Sequence, residues 1–269
     1  MRAAAIQMTS GRDVARNLEA AAELIATAVA ERAELVVLPE NFSFLGAQDA
    51  ERLAAAEQPG RGPAQDFLAE QARSHGVFIV GGTIPIAGPG GRASSRSLLV
   101  DPEGRTVAAY DKIHLFDVSV PGSAGETYRE SATTVPGSAI VSGATPLGRI
   151  GMAICYDLRF PALFHRLSVA GMDVLALPAA FTVPTGRVHW QPLLQARAIE
   201  SLTYVVASGQ WGEHAGGRRT YGHSMIVSPW GEVLAELPSG AGAVSADLDM
   251  MRLSEIRAKF PVLEHRREL

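Results

Sequence analysis

The chain has 269 residues, 47% of them hydrophobic, which is sufficient for a sizeable core in one large domain or two small ones. A net charge of −4 without any basic block argues against nucleic acids and anionic membranes as partners. No apolar segment is long enough to cross a bilayer, and residues 1–8 are typical of a strand rather than a secretory signal. A single cysteine cannot form an internal disulfide, so we expect a cytoplasmic protein.

Helical and strand periodicities alternate along the chain. They predict strands at 3–8, 35–39, 77–81, 149–154, 174–178, 204–208 and 243–248, and helices at 14–32, 63–75, 161–170 and 189–202. Hairpins are predicted at 97–110 and 223–237, where turn signals separate paired apolar runs. This order indicates an α/β protein with mixed sheets covered by helices on their outer faces. We expect one domain over 1–269, with its core in about 1–248 and a charged tail in 249–269.

Cys155 is the only cysteine, and it follows directly on the predicted strand 149–154. A polar turn comes next, and Pro161 suits the first position of a helix. Such a strand-to-helix elbow lifts a side chain out of the sheet and surrounds it with free backbone N–H groups, which suits a nucleophile. The alternative is a buried cysteine that packs as a small hydrophobic residue.

Three charged residues lie in contexts that fit cysteine chemistry. Glu40 ends a buried strand, Lys112 directly follows a strand, and Glu130 lies on the long connection 121–137. A carboxylate between apolar walls has a raised pKa and can accept a thiol proton, and an ammonium can stabilise an oxyanion. Lys112 is also one of only two lysines among 24 basic residues, the other being Lys259. Each residue has an alternative: a turn cap for Glu40, a solvated charge for Lys112 and a surface carboxylate for Glu130.

Other chemistries fit the sequence less well. It contains no Gly-x-Ser-x-Gly elbow, no phosphate-binding loop and no dinucleotide fingerprint. The histidines lack the paired spacing of metal ligands, so we expect no metal. His114 or His223 could serve as the base for Cys155, as in papain-like enzymes, but the flanking pattern of those enzymes is missing.

Several segments resemble the nitrilase superfamily of carbon–nitrogen hydrolases. Those similar to its signature blocks are 38–40, 111–115 and 151–161, and further similarity lies at 185–190, 196–200, 221–231 and 260–267. The resemblance covers essentially the whole chain. It implies a four-layer α-β-β-α sandwich and a hydrolase that needs no cofactor.

The resemblance also implies roles for individual residues. It makes Cys155 the nucleophile, Glu40 the general base and acid, and Lys112 the stabiliser of the oxyanion. The backbone N–H of Tyr156 would complete the oxyanion hole. Glu130 matches the second glutamate of the family, which supports Lys112 and the substrate. An acyl group would be carried on Cys155 as a thioester and released by water.

Within the superfamily, the chain is most similar to the branch of deaminated glutathione amidases and ω-amidases, which cleave amides of 2-oxo dicarboxylic acids. By this resemblance Arg159, Phe181 and Thr185 match substrate-contacting positions, and Arg159 suits a bidentate grip on a carboxylate. Phe181 equally suits ordinary core packing. Arg218 and Arg219 either meet the extra carboxylate of a peptide-like substrate or are solvated loop charges.

We therefore expect an amidase that converts deaminated glutathione to 2-oxoglutarate and Cys-Gly. As in the family, we expect a homodimer with the tail, 249–269, at its two-fold interface. The alternatives are an ω-amidase acting on 2-oxoglutaramate or 2-oxosuccinamate, and another small-amide hydrolase. Outside this class they are a non-catalytic binding protein on the same fold and a redox sensor with a low-pKa thiol.

Overall fold

The computed structural model describes residues 1–120 and 126–267. The strands of the amino-terminal half are β1 (Arg2–Gln7), β2 (Leu35–Val37), β3 (Phe78–Val80), β4 (Ile84–Ala87), β5 (Ala93–Val100), β6 (Thr106–Asp111), β7 (Asp117–Ser119) and β8 (Thr127–Arg129). Those of the carboxy-terminal half are β9 (Ser142–Thr145), β10 (Gly148–Met152), β11 (Val174–Ala179), β12 (Tyr204–Gly209), β13 (Trp211–Glu213), β14 (Arg219–Tyr221), β15 (Ser224–Val227), β16 (Val233–Leu237) and β17 (Gly242–Asp247). The α-helices are α1 (Val14–Ala30), α2 (Asp49–Ala54), α3 (Pro63–His75), α4 (Pro161–Val169), α5 (Val183–Ser201) and α6 (Met250–Lys259).

The main sheets are mixed, as predicted. The first has the strand order β17-β1-β2-β3-β5-β4, with β6 also paired to β5, and the second has the order β16-β15-β12-β11-β10-β9. Parallel strands lie at the centre of each sheet: β1, β2 and β3 in the first, and β10, β11 and β12 in the second. Antiparallel strands flank them on both sides. The short pairs β7–β8 and β13–β14 lie apart from these sheets.

The layers follow from the alternation of side chains along the strands, because successive residues point to opposite faces. In β1, Ala3 and Ala5 join a core that also contains residues of β11, β12 and β15 in the second sheet. Ala4 and Ile6 join a separate core with α1 and α3. The helices α4 and α5 pack their apolar residues onto the second sheet. The result is a four-layer α-β-β-α sandwich, which confirms the predicted fold.

The carboxyl ends of the central strands in the two sheets meet at one end of the sandwich. Met8, just after β1, forms a parallel bridge with Gln210, just after β12. Glu40 follows β2, and Cys155 follows β10. Lys112 directly follows β6. Open α/β sheets bind ligands at the carboxyl ends of their parallel strands, so the fold places these three side chains where a site is expected.

Some elements differ from the prediction. The helix expected from residue 189 begins at Val183, because Pro184 lies in its first turn, where proline is tolerated. It also continues past Pro192. The short strands β4, β7, β8, β9, β13 and β14 and the helix α2 were not predicted, since they are too brief for a clear periodicity. The helix α6, with 10 residues, was also missed, because it lies in a charged segment with few apolar residues to show a helical spacing.

The tail is not simply an extension beyond the core. Its helix α6 buries Leu253 and Ile256 in the same chain, so buried apolar packing continues past residue 248. The single domain and the tail at a dimer interface stay predictions. Residues 121–125 of the long connection and 268–269 of the tail lie outside the described residues. In the described part of the chain, no helix is long and apolar enough to span a membrane.

Candidate active site

A cavity of about 510 Å³ lies at the carboxyl ends of the central strands. Its wall contains every residue for which the sequence analysis predicted a site role: Glu40, Lys112, Glu130, Cys155, Tyr156, Arg159, Phe181 and Thr185. Ligand pockets in proteins are usually about 300–1,000 Å³, so the volume suits a small molecule. Residues from distant parts of the sequence therefore converge on one enclosed space.

The elbow at Cys155 has the predicted form. β10 ends at Met152, the 3₁₀ turn Cys155–Arg159 follows, and α4 starts at Pro161. Cys155 has a φ of +47°, in the left-handed region that residues other than glycine seldom occupy. Such strain persists where the surrounding structure enforces it, and it is concentrated at functional sites. This backbone, together with the cavity wall, favours the nucleophile over a residue that merely fills the core.

The backbone N–H of Tyr156 lies in the first turn of the 3₁₀ segment Cys155–Arg159. The first N–H groups of a helical segment have no intrahelical acceptor, so they remain available to an anion. The aromatic ring of Tyr156 packs edge-on against Phe116 and Phe160, with ring centroids 5.0 and 5.2 Å away. These ring contacts help to hold the turn in place.

Lys112 lies at the centre of the charged groups. Its Nζ is 2.8 Å from Glu40 Oε1 and 2.9 Å from Glu130 Oε2, and the residue is only 2% exposed. Its backbone is also fixed, because its N–H donates to the Ser95 carbonyl at 3.0 Å and its carbonyl accepts from the Gly137 N–H at 2.8 Å. The ammonium is therefore positioned both by ion pairs and by the main chain.

The two glutamates have further anchors. Glu130 Oε2 also accepts a hydrogen bond from the Phe116 N–H at 2.7 Å, which orients its carboxylate towards Lys112. Glu40 is 4% exposed, and its backbone carbonyl accepts from Gln210 Nε2 at 3.0 Å. These contacts limit how far either carboxylate can move from the ammonium.

Burial and charge set the protonation states of these groups. Burial raises the pKa of the Cys155 thiol, and the Glu40 carboxylate raises it further, against the opposing effects of Lys112 and a hydrogen bond from the Ala180 backbone. Burial also raises the pKa of Glu40, but the Lys112 charge and hydrogen bonds from Lys112 and Cys155 outweigh it, and the pKa is lowered. Burial lowers the pKa of Lys112, but the charges of Glu130 and Glu40 raise it more. The resting site thus holds a protonated thiol, an ionised Glu40 carboxylate and the Lys112 ammonium.

The raised pKa of Glu40 predicted from burial alone is wrong, because the adjacent Lys112 ammonium stabilises the ionised carboxylate more than burial destabilises it. The raised pKa of Cys155 likewise differs from the low pKa that a redox-sensing thiol needs. The thiol is therefore protonated at rest, and a nucleophilic role of Cys155 would need a nearby base.

Asp157 is a buried residue of the site that the sequence analysis did not single out. It is completely inaccessible to solvent. Its Oδ2 accepts from Tyr110 Oη at 2.7 Å and from the Ile154 N–H at 2.9 Å, and its Oδ1 accepts from the His114 N–H at 3.0 Å. One carboxylate thus joins the end of β6 to the elbow after β10. The only available signal in the sequence was its position two residues after the cysteine.

The histidines do not pair with the cysteine. His114 Nδ1 lies 2.7 Å from Asp157 Oδ1, and its ring stacks on Phe160 with centroids 3.7 Å apart. His223 Nδ1 lies 2.6 Å from Glu236 Oε1. Neither histidine is part of the cavity wall. The papain-like alternative therefore has no support from the geometry.

The residues predicted to contact substrate form one side of the cavity. The Arg159 guanidinium lies 5.4 Å from the centroid of the Phe181 ring, and its Nη1 is 3.2 Å from His189 Nδ1. Phe181 is 7% exposed and packs against Trp190, with ring centroids 4.8 Å apart. Phe181 therefore belongs both to the core and to the cavity wall, and Thr185 lines the cavity beside it.

A model of the carbon–nitrogen hydrolase family matches residues 2–258. The chain belongs to the carbon–nitrogen hydrolase family. This carbon–nitrogen hydrolase is similar to a protein of Synechocystis sp. called deaminated glutathione amidase, with 46% identity over 98% of this chain and 97% of the relative.

Solved structures also resemble this carbon–nitrogen hydrolase. Saccharomyces cerevisiae Nit3, described as a member of branch 10 of the nitrilase superfamily, is 28% identical, with a TM-score of 0.88 over 100% of this chain and 97% of that one. A variant of the amidase from Nesterenkonia sp. AN1 is 26% identical, with a TM-score of 0.77 over 97% of this chain and 98% of that one. Acrylamide has undergone Michael addition to the active-site cysteine of that amidase.

Proposed function

We propose that this carbon–nitrogen hydrolase acts on deaminated glutathione and releases 2-oxoglutarate and Cys-Gly. The observation that carries the proposal is the buried cluster of Cys155, Glu40 and Lys112 in the wall of one cavity, in which the Lys112 ammonium pairs with the Glu40 carboxylate at 2.8 Å. The name of the Synechocystis relative, at 46% identity, supports the choice of substrate. No metal or cofactor is part of the proposed reaction.

The proposed reaction has an acylation and a deacylation half. Glu40 accepts the thiol proton as the Cys155 sulfur attacks the amide carbonyl, and the developing oxyanion is bound by Lys112 and the Tyr156 N–H. Losing one such donor typically raises the barrier by about 3–4 kcal/mol. Glu40 then donates its proton to the leaving nitrogen, which departs as an amine. The acyl group remains on Cys155 as a thioester.

In the second half, Glu40 takes a proton from a water molecule whose oxygen attacks the thioester. Collapse of the tetrahedral intermediate breaks the carbon–sulfur bond, releases the carboxylic acid and returns the proton to Cys155. Lys112 and the Tyr156 N–H serve the second oxyanion as they served the first. Each proton that Glu40 accepts is therefore returned within the cycle, and the enzyme ends in its starting state.

Glu130 has a distinct role in this scheme. Glu40 loses its negative charge each time it is protonated, which would leave a buried ammonium without a partner. Glu130 lies 2.9 Å from the same Nζ and is held by the Phe116 N–H, so it keeps Lys112 charged and in place throughout. We propose that Glu130 allows Glu40 to accept and donate protons while Lys112 keeps the positive charge that binds the oxyanion.

A 2-oxo acid substrate requires a cationic contact for its carboxylate. Arg159 lies in the cavity wall just after the elbow, and an arginine fork binds a carboxylate through two parallel hydrogen bonds. Phe181 and Thr185 line the same side and would bound the acyl chain. The competing substrate is 2-oxoglutaramate, which yields the same acyl group and would make the enzyme an ω-amidase.

The test compares kcat/KM for deaminated glutathione and for 2-oxoglutaramate. Because both give the same 2-oxoglutaryl thioester, deacylation is common to them and the comparison reports on acylation. We expect a higher value for deaminated glutathione and an acyl adduct on Cys155 in quenched samples examined by mass spectrometry. Equal or higher efficiency with 2-oxoglutaramate would overturn the substrate assignment. Absence of any adduct and of turnover would instead support a non-catalytic binding protein.

A further inference from the structure

Arg218 lines the catalytic cavity, whereas its neighbour Arg219 is exposed on β14 and lies outside the cavity wall. The Arg218 guanidinium stacks 5.2 Å from the centroid of the Tyr128 ring, and its Nη2 donates to the Ala180 carbonyl at 3.1 Å. Ala180 also lines the catalytic cavity, and its backbone lowers the pKa of the Cys155 thiol. Arg218 is therefore anchored to a residue of the same cavity wall that contains the nucleophile.

The guanidinium of Arg218 has unused hydrogen-bonding capacity. Its Nε is buried and has no hydrogen-bond partner within residues 1–120 and 126–267. A buried donor without an acceptor is costly, and a guanidinium presents five N–H groups in a planar fork that fits a carboxylate. Stacking on Tyr128 and the bond to Ala180 hold this fork in place before any ligand binds. A preorganised, unsatisfied cation in a cavity wall is suited to an anionic group of the substrate.

The two cations Arg218 and Arg159 contact different parts of the cavity wall. Arg159 packs beside Phe181 and Tyr156, on the side proposed for the acyl chain, whereas Arg218 lies over Tyr128. Since Arg159 is assigned to the carboxylate of the acyl half, Arg218 is available for an anionic group of the leaving half. Its charge also contributes to lowering the pKa of Glu40, the group proposed to protonate the leaving nitrogen.

We propose that Arg218 forms a carboxylate subsite for the leaving group, and that it binds the carboxy terminus of the departing dipeptide. The proposal rests on the proposed function, in which the leaving amine is Cys-Gly. An extended dipeptide spans at most about 7 Å, so its terminal carboxylate stays within reach of the wall of the same cavity. The subsite would favour a peptide-like amide over a primary amide that carries the same acyl group.

The experiment uses three substrates with one acyl group: deaminated glutathione, its analogue with an amidated glycine carboxylate, and 2-oxoglutaramate. The variants are Arg218→Gln, Arg218→Lys and, as the matched control, Arg219→Gln. A hydrogen-bonded charge pair of this kind is worth about 10–100-fold in binding. We expect Arg218→Gln to lower kcat/KM for deaminated glutathione by about that factor relative to the other two substrates. Arg219→Gln should leave all three values unchanged.

A second readout separates the subsite from an effect through Glu40. Loss of the Arg218 charge should move the acidic limb of the kcat/KM profile to higher pH for all three substrates, because this charge helps to lower the pKa of Glu40. Arg218→Lys keeps the charge and should restore that limb, while losing part of the preference for the free carboxylate, because an ammonium lacks the planar fork.

The outcomes distinguish the two proposals. If Arg218→Gln lowers the three kcat/KM values by the same factor, or if the wild-type enzyme does not prefer deaminated glutathione to its amidated analogue, the subsite is overturned. If the wild-type enzyme prefers 2-oxoglutaramate to deaminated glutathione, the proposed function fails. A wild-type preference for deaminated glutathione that survives in Arg218→Gln overturns the subsite and leaves the proposed function intact.

Discussion

Replacing Lys112 by methionine would remove the ammonium from the buried charge cluster while keeping an unbranched side chain of the same length up to Cε. The Lys112 and Glu40 side chains are 2% and 5% exposed, with 2.8 Å between Nζ and Oε1. Removing one partner of a buried ion pair costs about 3–5 kcal/mol, because the remaining charge stays desolvated. Removing an oxyanion donor lowers kcat by about 100–1,000-fold. At neutral pH we expect Lys112→Met to lower the free energy of unfolding by about 3–5 kcal/mol and kcat by about 100–1,000-fold.

The same variant should also reverse the effect of pH on stability. In the wild-type enzyme Lys112 holds the pKa of Glu40 below its usual 4.5, so this carboxylate adds stability above that value, and the stability is lost as the pH falls through the lowered pKa. Without Lys112, burial remains and the folded-state pKa of Glu40 rises above 4.5. The neutral carboxyl then favours the folded state at low pH, and this stability is lost as the pH rises through the raised pKa.

Urea unfolding between about pH 3 and 8, together with kcat/KM at each pH, measures the unfolding free energy and the activity. Lys259 provides a matched control, because it is the only other lysine in the sequence, is exposed at the end of α6 and lies outside the cavity wall. Lys259→Met should keep the wild-type kcat/KM and the wild-type pH dependence of the unfolding free energy. The reasoning is refuted if Lys112→Met retains activity within tenfold of wild type, or if its pH dependence of the unfolding free energy parallels that of the control.

Two further predictions concern the surroundings of the site. Asp157→Asn should lower kcat by about tenfold or more, with a smaller change in KM. The reason is that an amide cannot accept hydrogen bonds from Tyr110, His114 and Ile154 together, and each unsatisfied buried group costs about 1–3 kcal/mol. Steady-state kinetics together with unfolding measurements test this prediction, and a change confined to stability would contradict a positioning role. The family resemblance predicts a homodimer, so sedimentation at micromolar concentration should give twice the chain mass of 28.4 kDa, and a purely monomeric species would contradict it.

Local patterns were sufficient to predict the parts of the fold that repeat regularly. The alternation of apolar runs gave the central parallel strands and the helices α1, α3 and α4, and Pro161 marked the start of α4 correctly. Short elements such as β7 and β13, three residues each, were missed. The strands β2 and β3 are equally short, but they lie in the longer apolar runs 35–39 and 77–81. The strands β7 and β13 have no such run, and their pairing partners decide whether they form.

For the candidate site, prediction from sequence is limited by contacts between distant segments. Glu40, Lys112 and Cys155 were found from their positions after strands and from the family resemblance, but the direction of the Glu40 pKa shift depends on the 2.8 Å approach of Lys112, which no spacing in sequence reveals. The buried role of Asp157 depends on three donors from separate segments. Arg218 and Arg219 are also indistinguishable by sequence. Only the structure shows that Arg218, just before β14, lines the cavity, whereas Arg219, the first residue of β14, does not.

The sparse use of cysteine and lysine has a practical consequence for chemical labelling. A thiol-directed electrophile that enters the cavity can modify one atom per chain, the sulfur of Cys155, so the stoichiometry of such a reaction counts competent enzyme molecules directly. Among the lysine amines, amine-directed dyes meet an exposed one at Lys259 and a buried, paired one at Lys112. Thiol-directed reagents therefore report on the cavity that contains Cys155, whereas labelling of the exposed lysine leaves that cavity unmodified.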